Sequence, residues 1–213
     1  MGDNDVAIND GLGKEVPKMF QDFIAVMLIN LAAGLALLAH YIYVNPEKGT
    51  RKSWAAGFFA TGFLGLLTSF AMIVMWPLPG SYNVAFGEPA LLLSVAFLAA
   101  AITLTFEWEP LIPAIYGAFG GLAAIIVGIR LADLHMTQSP TIAMLGYVTA
   151  GIGGILVMPA LQWRKVRGIA IITAIILGIA AVIWAITGYA AIWGHIADFS
   201  KWLPATMLQH TGK

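Results

Sequence analysis

The chain has 213 residues, of which 60% are hydrophobic and only 10% charged, with eleven Lys and Arg balancing eleven Asp and Glu. So apolar a composition leaves a fold in water too little polar surface, and a formal charge of zero implies no global attraction to nucleic acid. The absence of cysteine excludes disulfides, thiolate metal sites and cysteine nucleophiles.

Mean hydropathy is +0.85, and apolar runs recur along the whole chain. A helix needs about 20 mainly apolar residues to cross a hydrocarbon core of about 30 Å, so the length accommodates six spans with short connections. The expected fold is all-α, an integral membrane bundle of six transmembrane helices. Residues 1–18 carry Asp3, Asp5, Asp10 and Glu15 against Lys14 and Lys18. They lack the basic start of a cleavable signal peptide and read as a retained polar tail. A transmembrane domain over 19–198 and an interfacial tail over 199–213 complete the expected organisation.

Hydropathy and helix breakers place the spans near 19–44, 54–78, 88–106, 110–134, 141–163 and 168–196. The third is short and expected to stand nearly upright. The breaks are Asn45-Pro46, Pro77-Leu78-Pro79-Gly80, Glu107-Trp108-Glu109-Pro110, Thr137-Gln138-Ser139-Pro140 and Arg164-Lys165-Val166-Arg167-Gly168. The first and fifth connections hold Lys48, Arg51, Lys52, Arg164, Lys165 and Arg167. Short cytoplasmic loops retain basic residues, so both are expected in the cytoplasm and both termini outside. Small residues recur at four-residue spacing, as Gly57-Thr61-Gly65-Ser69, Gly120-Ala124-Gly128 and Gly146-Ala150-Gly154. Such ladders let helix backbones approach closely in lipid, and they read either as packing faces or in part as the lining of a passage. Trp54, Trp76, Trp108, Trp163, Trp193 and Trp202 fall near span ends as interfacial anchors, and Trp184 is expected inside the bundle.

Ionisable residues are costly inside a bilayer, so each one is a candidate for function. Asp22, Glu88, Arg130, Asp133, His135, His195 and Asp198, with Tyr82 and Asn83, fall near the expected outer surface. They read either as a hydrated rim, with Arg130 paired to an acid, or as a vestibule. Asn30 lies deeper in the first span, where its amide can bond a neighbouring helix or a polar solute. His135, His195 and His210 are candidate pH sensors, since free histidine titrates near about pH 6.5. No catalytic triad, phosphate loop or zinc-protease signature is present. The chain is accordingly expected not to be an enzyme and to carry no catalytic residue, metal or cofactor.

Two stretches carry a resemblance. VNPEKGTRKSWAAGFFATGFLGLL (44–67), with the later FGEPALLL (86–93) and EWEP (107–110), resembles the AmiS/UreI family of acid-activated urea and amide channels. MWPLPGSYNVAFGE (75–88) resembles the uncharacterised DUF981 family of small membrane proteins, a likeness that covers most of the chain. The channel resemblance implies a ring of protomers, six by that likeness, each with its own route for a small neutral solute. It also implies that Phe86, Gly87, Pro89 and Ala90 start the third helix and that Trp108 and Pro110 form its exit turn. The tryptophan-rich fifth span of those channels is replaced here by IAMLGYVTAGIGGILVMPAL (142–161), and the third-span aromatics are reduced to Phe97 and Phe106. The bundle is thus kept while the solute differs from urea.

The reading that follows is a passive, homo-oligomeric channel for a small neutral or weakly polar solute, with Asn30, Glu88, Phe97 and Arg130 on the pathway and His135 and His195 as pH sensors. Its alternatives are a non-enzymatic accessory subunit of a larger membrane complex, and a protein that uses histidines from the fourth and sixth helices to ligate haem or metal.

Overall fold

The computed structural model describes residues 24–78 and 80–198. Asp22, Trp202, His210 and the two tails lie outside the described residues. Six helices follow one another: α1 (Ile24–Val44), α2 (Ala55–Met75), α3 (Tyr82–Thr105), α4 (Leu111–Asp133), α5 (Pro140–Gln162) and α6 (Arg167–Asp198). A single 3-10 turn, Arg51–Trp54, leads into α2. All six helices are long and apolar enough to cross a membrane; at about 1.5 Å per residue even the shortest extends for about 30 Å.

Helices α1 to α4 each end on a residue in the left-handed conformation, namely Asn45, Trp76, Glu107 and His135. After α3 and α4 this gives a tight double cap. Trp108 N–H bonds the Thr103 carbonyl at 2.9 Å and Met136 N–H bonds the Leu131 carbonyl at 3.1 Å, which satisfies carbonyls that a helix end leaves orphaned. His135 therefore has a backbone role at the end of α4 whatever its ring does.

Each helix packs on its neighbours in sequence, and α6 closes on α1, so the six form a ring. The most extensive interfaces are α4 with α5, α1 with α6 and α2 with α3. Thr61, Ser69, Ser94, Thr103 and Thr173 are buried along with large apolar side chains such as Phe58, Leu35 and Leu177, while Phe119, 72% exposed, and Ile126 and Ile186 point out. Large apolar side chains on the outer face, with hydroxyls held inside, suit lipid, where close packing and hydrogen bonds rather than water exclusion join helices. Trp184 lies inside, 2% exposed, and donates its indole N–H to the Gly146 carbonyl at 3.2 Å.

The third helix departs from expectation. It starts at Tyr82, six residues before the expected 88, and runs for 24 residues. Pro89 and its neighbours Phe86 and Gly87 lie inside it rather than forming its start. A proline there deprives the Ala85 carbonyl of its usual helical donor, and the Tyr147 hydroxyl of α5 fills the gap at 2.9 Å. Asn83 likewise leaves the expected rim. It is fully buried and bonds the Leu78 N–H at 3.0 Å and the Leu78 and Gly80 carbonyls, holding the α2–α3 connection in place.

The first and fifth connections share one end of the ring, here the basic end. Arg164 donates to the Asn45 amide oxygen at 2.9 Å, and Arg167 donates to the Tyr43 carbonyl while its guanidinium lies 4.8 Å from the Tyr43 ring centre.

Candidate functional site

Two small, partly open chambers adjoin one another between the helices of the ring. One, of about 20 Å³, sits between α1, α2 and α3 and is lined by Asn30, Thr61, Thr68 and Ser94 together with apolar groups. The other, of about 60 Å³, lies toward the basic end and is apolar, with Phe58, Leu104, Ala114 and Gly154 in its wall and Tyr41 as its polar member. Leu93 and Phe97 line both chambers. Phe97 is 4% exposed and its ring centre lies 5.6 Å from that of Phe58. Gly34 makes room for it, because a β-carbon there would collide with the Phe97 ring.

The first chamber is polar without being charged. Asn30 donates to the Thr61 carbonyl at 2.8 Å, which makes it an interhelical tie. Ser94 donates to the Ala90 carbonyl at 2.6 Å and Thr68 to the Leu64 carbonyl at 2.9 Å. These hydroxyls use their donors on their own helices, as they usually do in apolar surroundings. The capacity that remains is chiefly acceptor. Gly65 permits the convergence, since a side chain there would meet Ser94 Oγ and Asn30 Nδ2.

No Asp, Glu, Lys, Arg or His appears in the wall of either chamber. Such a wall offers an ion no charge to replace the hydration it would shed. Of the sequence candidates, Asn30 and Phe97 thus come together. The other four lie elsewhere. Glu88 is exposed in the second turn of α3. Arg130 is exposed and paired with Asp133 in the last turn of α4. His135 is exposed just beyond that turn, its Nδ1 3.3 Å from the Asp133 carbonyl, and His195 is half-buried in the last turn of α6. Among the described residues no group of three or more His, Asp or Glu side chains gathers as metal ligands would.

Sequence reasoning missed Tyr41, Thr68 and Ser94 as wall residues and placed Thr61 on a small-residue ladder, read as packing or in part as the lining of a passage. A usable signal was present. Thr61 and Gly65 mark the close-packed face of α2, and a hydroxyl on such a face is held near the ring interior.

Comparison with known proteins places the chain in one family. No curated protein and no solved structure matches it, and the likeness to urea and amide channels rests on the short motifs alone. The model of a family described as "Protein of unknown function (DUF981)" matches residues 19–198, which span all six helices. The chain therefore belongs to the DUF981 family.

Proposed function

We propose that the chain is a passive membrane channel for a small neutral or weakly polar solute, with Phe97 and Leu93 as its constriction. The observation that carries this reading is the pair of adjoining uncharged chambers that share those two residues. Asn30, Thr61, Thr68 and Ser94 offer acceptors to a solute with N–H or O–H groups before it meets the aromatic barrier. The motif likeness to the AmiS/UreI channels adds to the case and suggests a homo-oligomer in which each ring has its own route.

The basic end faces the cytoplasm in this proposal, since Lys and Arg of short loops are retained on that side. Glu88, Arg130, His135 and His195 then lie toward the outer end, where Glu88 and Arg130 contribute to the field at the entrance and the two histidines adjust it with pH. The membrane is the plasma or inner membrane.

Flux into proteoliposomes tests the proposal with urea, acetamide, ammonia and glycerol. Phe97→Ala should raise the flux of the accepted solute about tenfold, equivalent to ~1.4 kcal/mol off the barrier, and Asn30→Leu should lower it. Flux at about pH 5 and about pH 7 should differ in the wild type and converge in His135→Ala. No flux above empty vesicles for wild type and Phe97→Ala with every solute would sink the proposal. Purification in mild detergent should yield a ring of identical chains. Reproducible co-purification with different polypeptides favours the accessory-subunit reading instead.

A further inference from the structure

We propose that Arg51, Arg164 and Tyr41 form a site for an oxyanion, a phosphate or a phosphate-bearing headgroup, at the basic end of the ring. Among the described residues, four buried side-chain polar atoms lack a hydrogen-bond partner: the Tyr41 hydroxyl, Arg51 Nη1, Arg164 Nη2 and Thr137 Oγ1. Three of these four belong to one cluster. Buried polar groups are nearly always satisfied, and leaving one unsatisfied costs about 1–3 kcal/mol. The Tyr41 hydroxyl can serve one donor of Arg164 and Glu109 meets Arg51 Nη1 only at 3.7 Å, so the guanidinium donors gathered here outnumber the acceptors that the chain itself supplies.

The positioning of the cluster is local and definite. Arg51 is 7% exposed on the 3-10 turn and Tyr41 is 3% exposed near the end of α1. Arg51 donates Nε–H to the Pro46 carbonyl at 3.1 Å, and Arg164 donates from Nη1 to the Asn45 amide oxygen at 2.9 Å. Two arginines more than a hundred residues apart are therefore anchored on consecutive residues of the first connection. Each anchor uses some nitrogens and leaves another for a ligand. The Tyr41 hydroxyl lies within side-chain hydrogen-bonding reach of Arg164 and within electrostatic reach of Arg51 and Glu109, and its ring sits edge-on to Trp54 at 5.5 Å.

Charge selects the ligand class. Glu109 Oε1 stands 3.7 Å from Arg51 Nη1, too far for a hydrogen bond, and at 69% exposed it marks the side open to solvent. The anchor of Arg164 is a neutral amide. Two guanidinium groups thus share this corner with one loosely held carboxylate. A neutral carbonyl would leave the excess charge uncompensated, whereas an oxyanion accepts several charge-assisted hydrogen bonds at once. The inference rests on these contacts and does not depend on the transport proposal.

The full chain in phosphatidylcholine nanodiscs is titrated with inorganic phosphate, and parallel discs carry phosphatidylglycerol. Binding is followed by calorimetry and by the shift in unfolding temperature, because a ligand of the folded state stabilises it. Arg164→Gln and Arg51→Gln should each weaken binding about tenfold or more, which is ~1.4 kcal/mol. Tyr41→Phe should weaken it about threefold and keeps the test informative if an arginine variant does not fold. Lys48→Gln and Lys165→Gln serve as charge controls and should change little. A response to inorganic phosphate assigns the site to a free anion, and a response to phosphatidylglycerol alone assigns it to a lipid headgroup. The proposal is overturned if the wild type responds to neither, or if the lysine controls weaken binding as much as Arg164→Gln does.

Discussion

Tyr147 and Pro89 show how one hydroxyl decides where a helix is allowed to begin. Because Pro89 has no N–H, the Ala85 carbonyl depends on the Tyr147 hydroxyl 62 positions away in sequence. Tyr147→Phe should therefore destabilise the bundle by ~1–3 kcal/mol, the cost of an unsatisfied buried acceptor. In a Pro89→Ala background a backbone donor is available again, and the same substitution should cost clearly less. Equal losses in both backgrounds, measured by denaturation in the same lipid or detergent, would refute the coupling. This is also where the sequence was least legible. Pro89 correctly signals a missing donor, but nothing near it says that a tyrosine of α5 will replace that donor. The helix start was accordingly placed six residues late. The same holds for Arg51 and Arg164, readable as topology signals yet brought together by the Asn45 side chain and the Pro46 carbonyl.

Helix pairing turns on which glycines meet. The expected ladders Gly120-Ala124-Gly128 and Gly146-Ala150-Gly154 identify α4 and α5 as close-packing helices, and the two do share one of the most extensive interfaces. Their closest approach, however, is between Gly121 and Gly151. A β-carbon on Gly121 would lie 2.6 Å from the Gly151 carbonyl oxygen, and one on Gly151 would collide with the Gly121 carbonyl. By contrast, a β-carbon on Gly154 would find its nearest neighbour at 3.6 Å, an ordinary contact. Gly151→Ala should cost ~1–3 kcal/mol through overpacking, while Gly154→Ala should stay within ~0.5 kcal/mol. A Gly151→Ala protein as stable as wild type would show that the two backbones separate freely. Periodicity reveals that an α-helix has a small-residue face, but several glycines occupy that face, and the crossing point depends on the partner's rotation and tilt.

For the whole molecule, six spans and the shared end of the first and fifth connections were legible, because helix length and basic loops follow directly from hydropathy and charge. The chambers were not, since they arise where faces of up to five helices fail to fill the ring. Orientation lends itself to a direct test because the chain has no cysteine of its own. Single cysteines at Lys48 and Lys165 should react with an impermeant maleimide only after the cells are opened. Cysteines at Ser81 and Gln138 should react in intact cells. The opposite pattern would invert the proposed orientation and put the oxyanion site outside.

Closure of the ring by α6 against α1 has a consequence for the order of manufacture. Ribosomes release α1 first and α6 last, yet these two share one of the most extensive interfaces, with the backbone of Ile29 so near Gly188 that a β-carbon there would sit 3.1 Å from its amide nitrogen. Until the sixth helix enters the bilayer, α1 lacks the main partner for its inward face and the fold is an open horseshoe. A chain ending before Arg167 therefore leaves the inward face of α1 without its main helical partner.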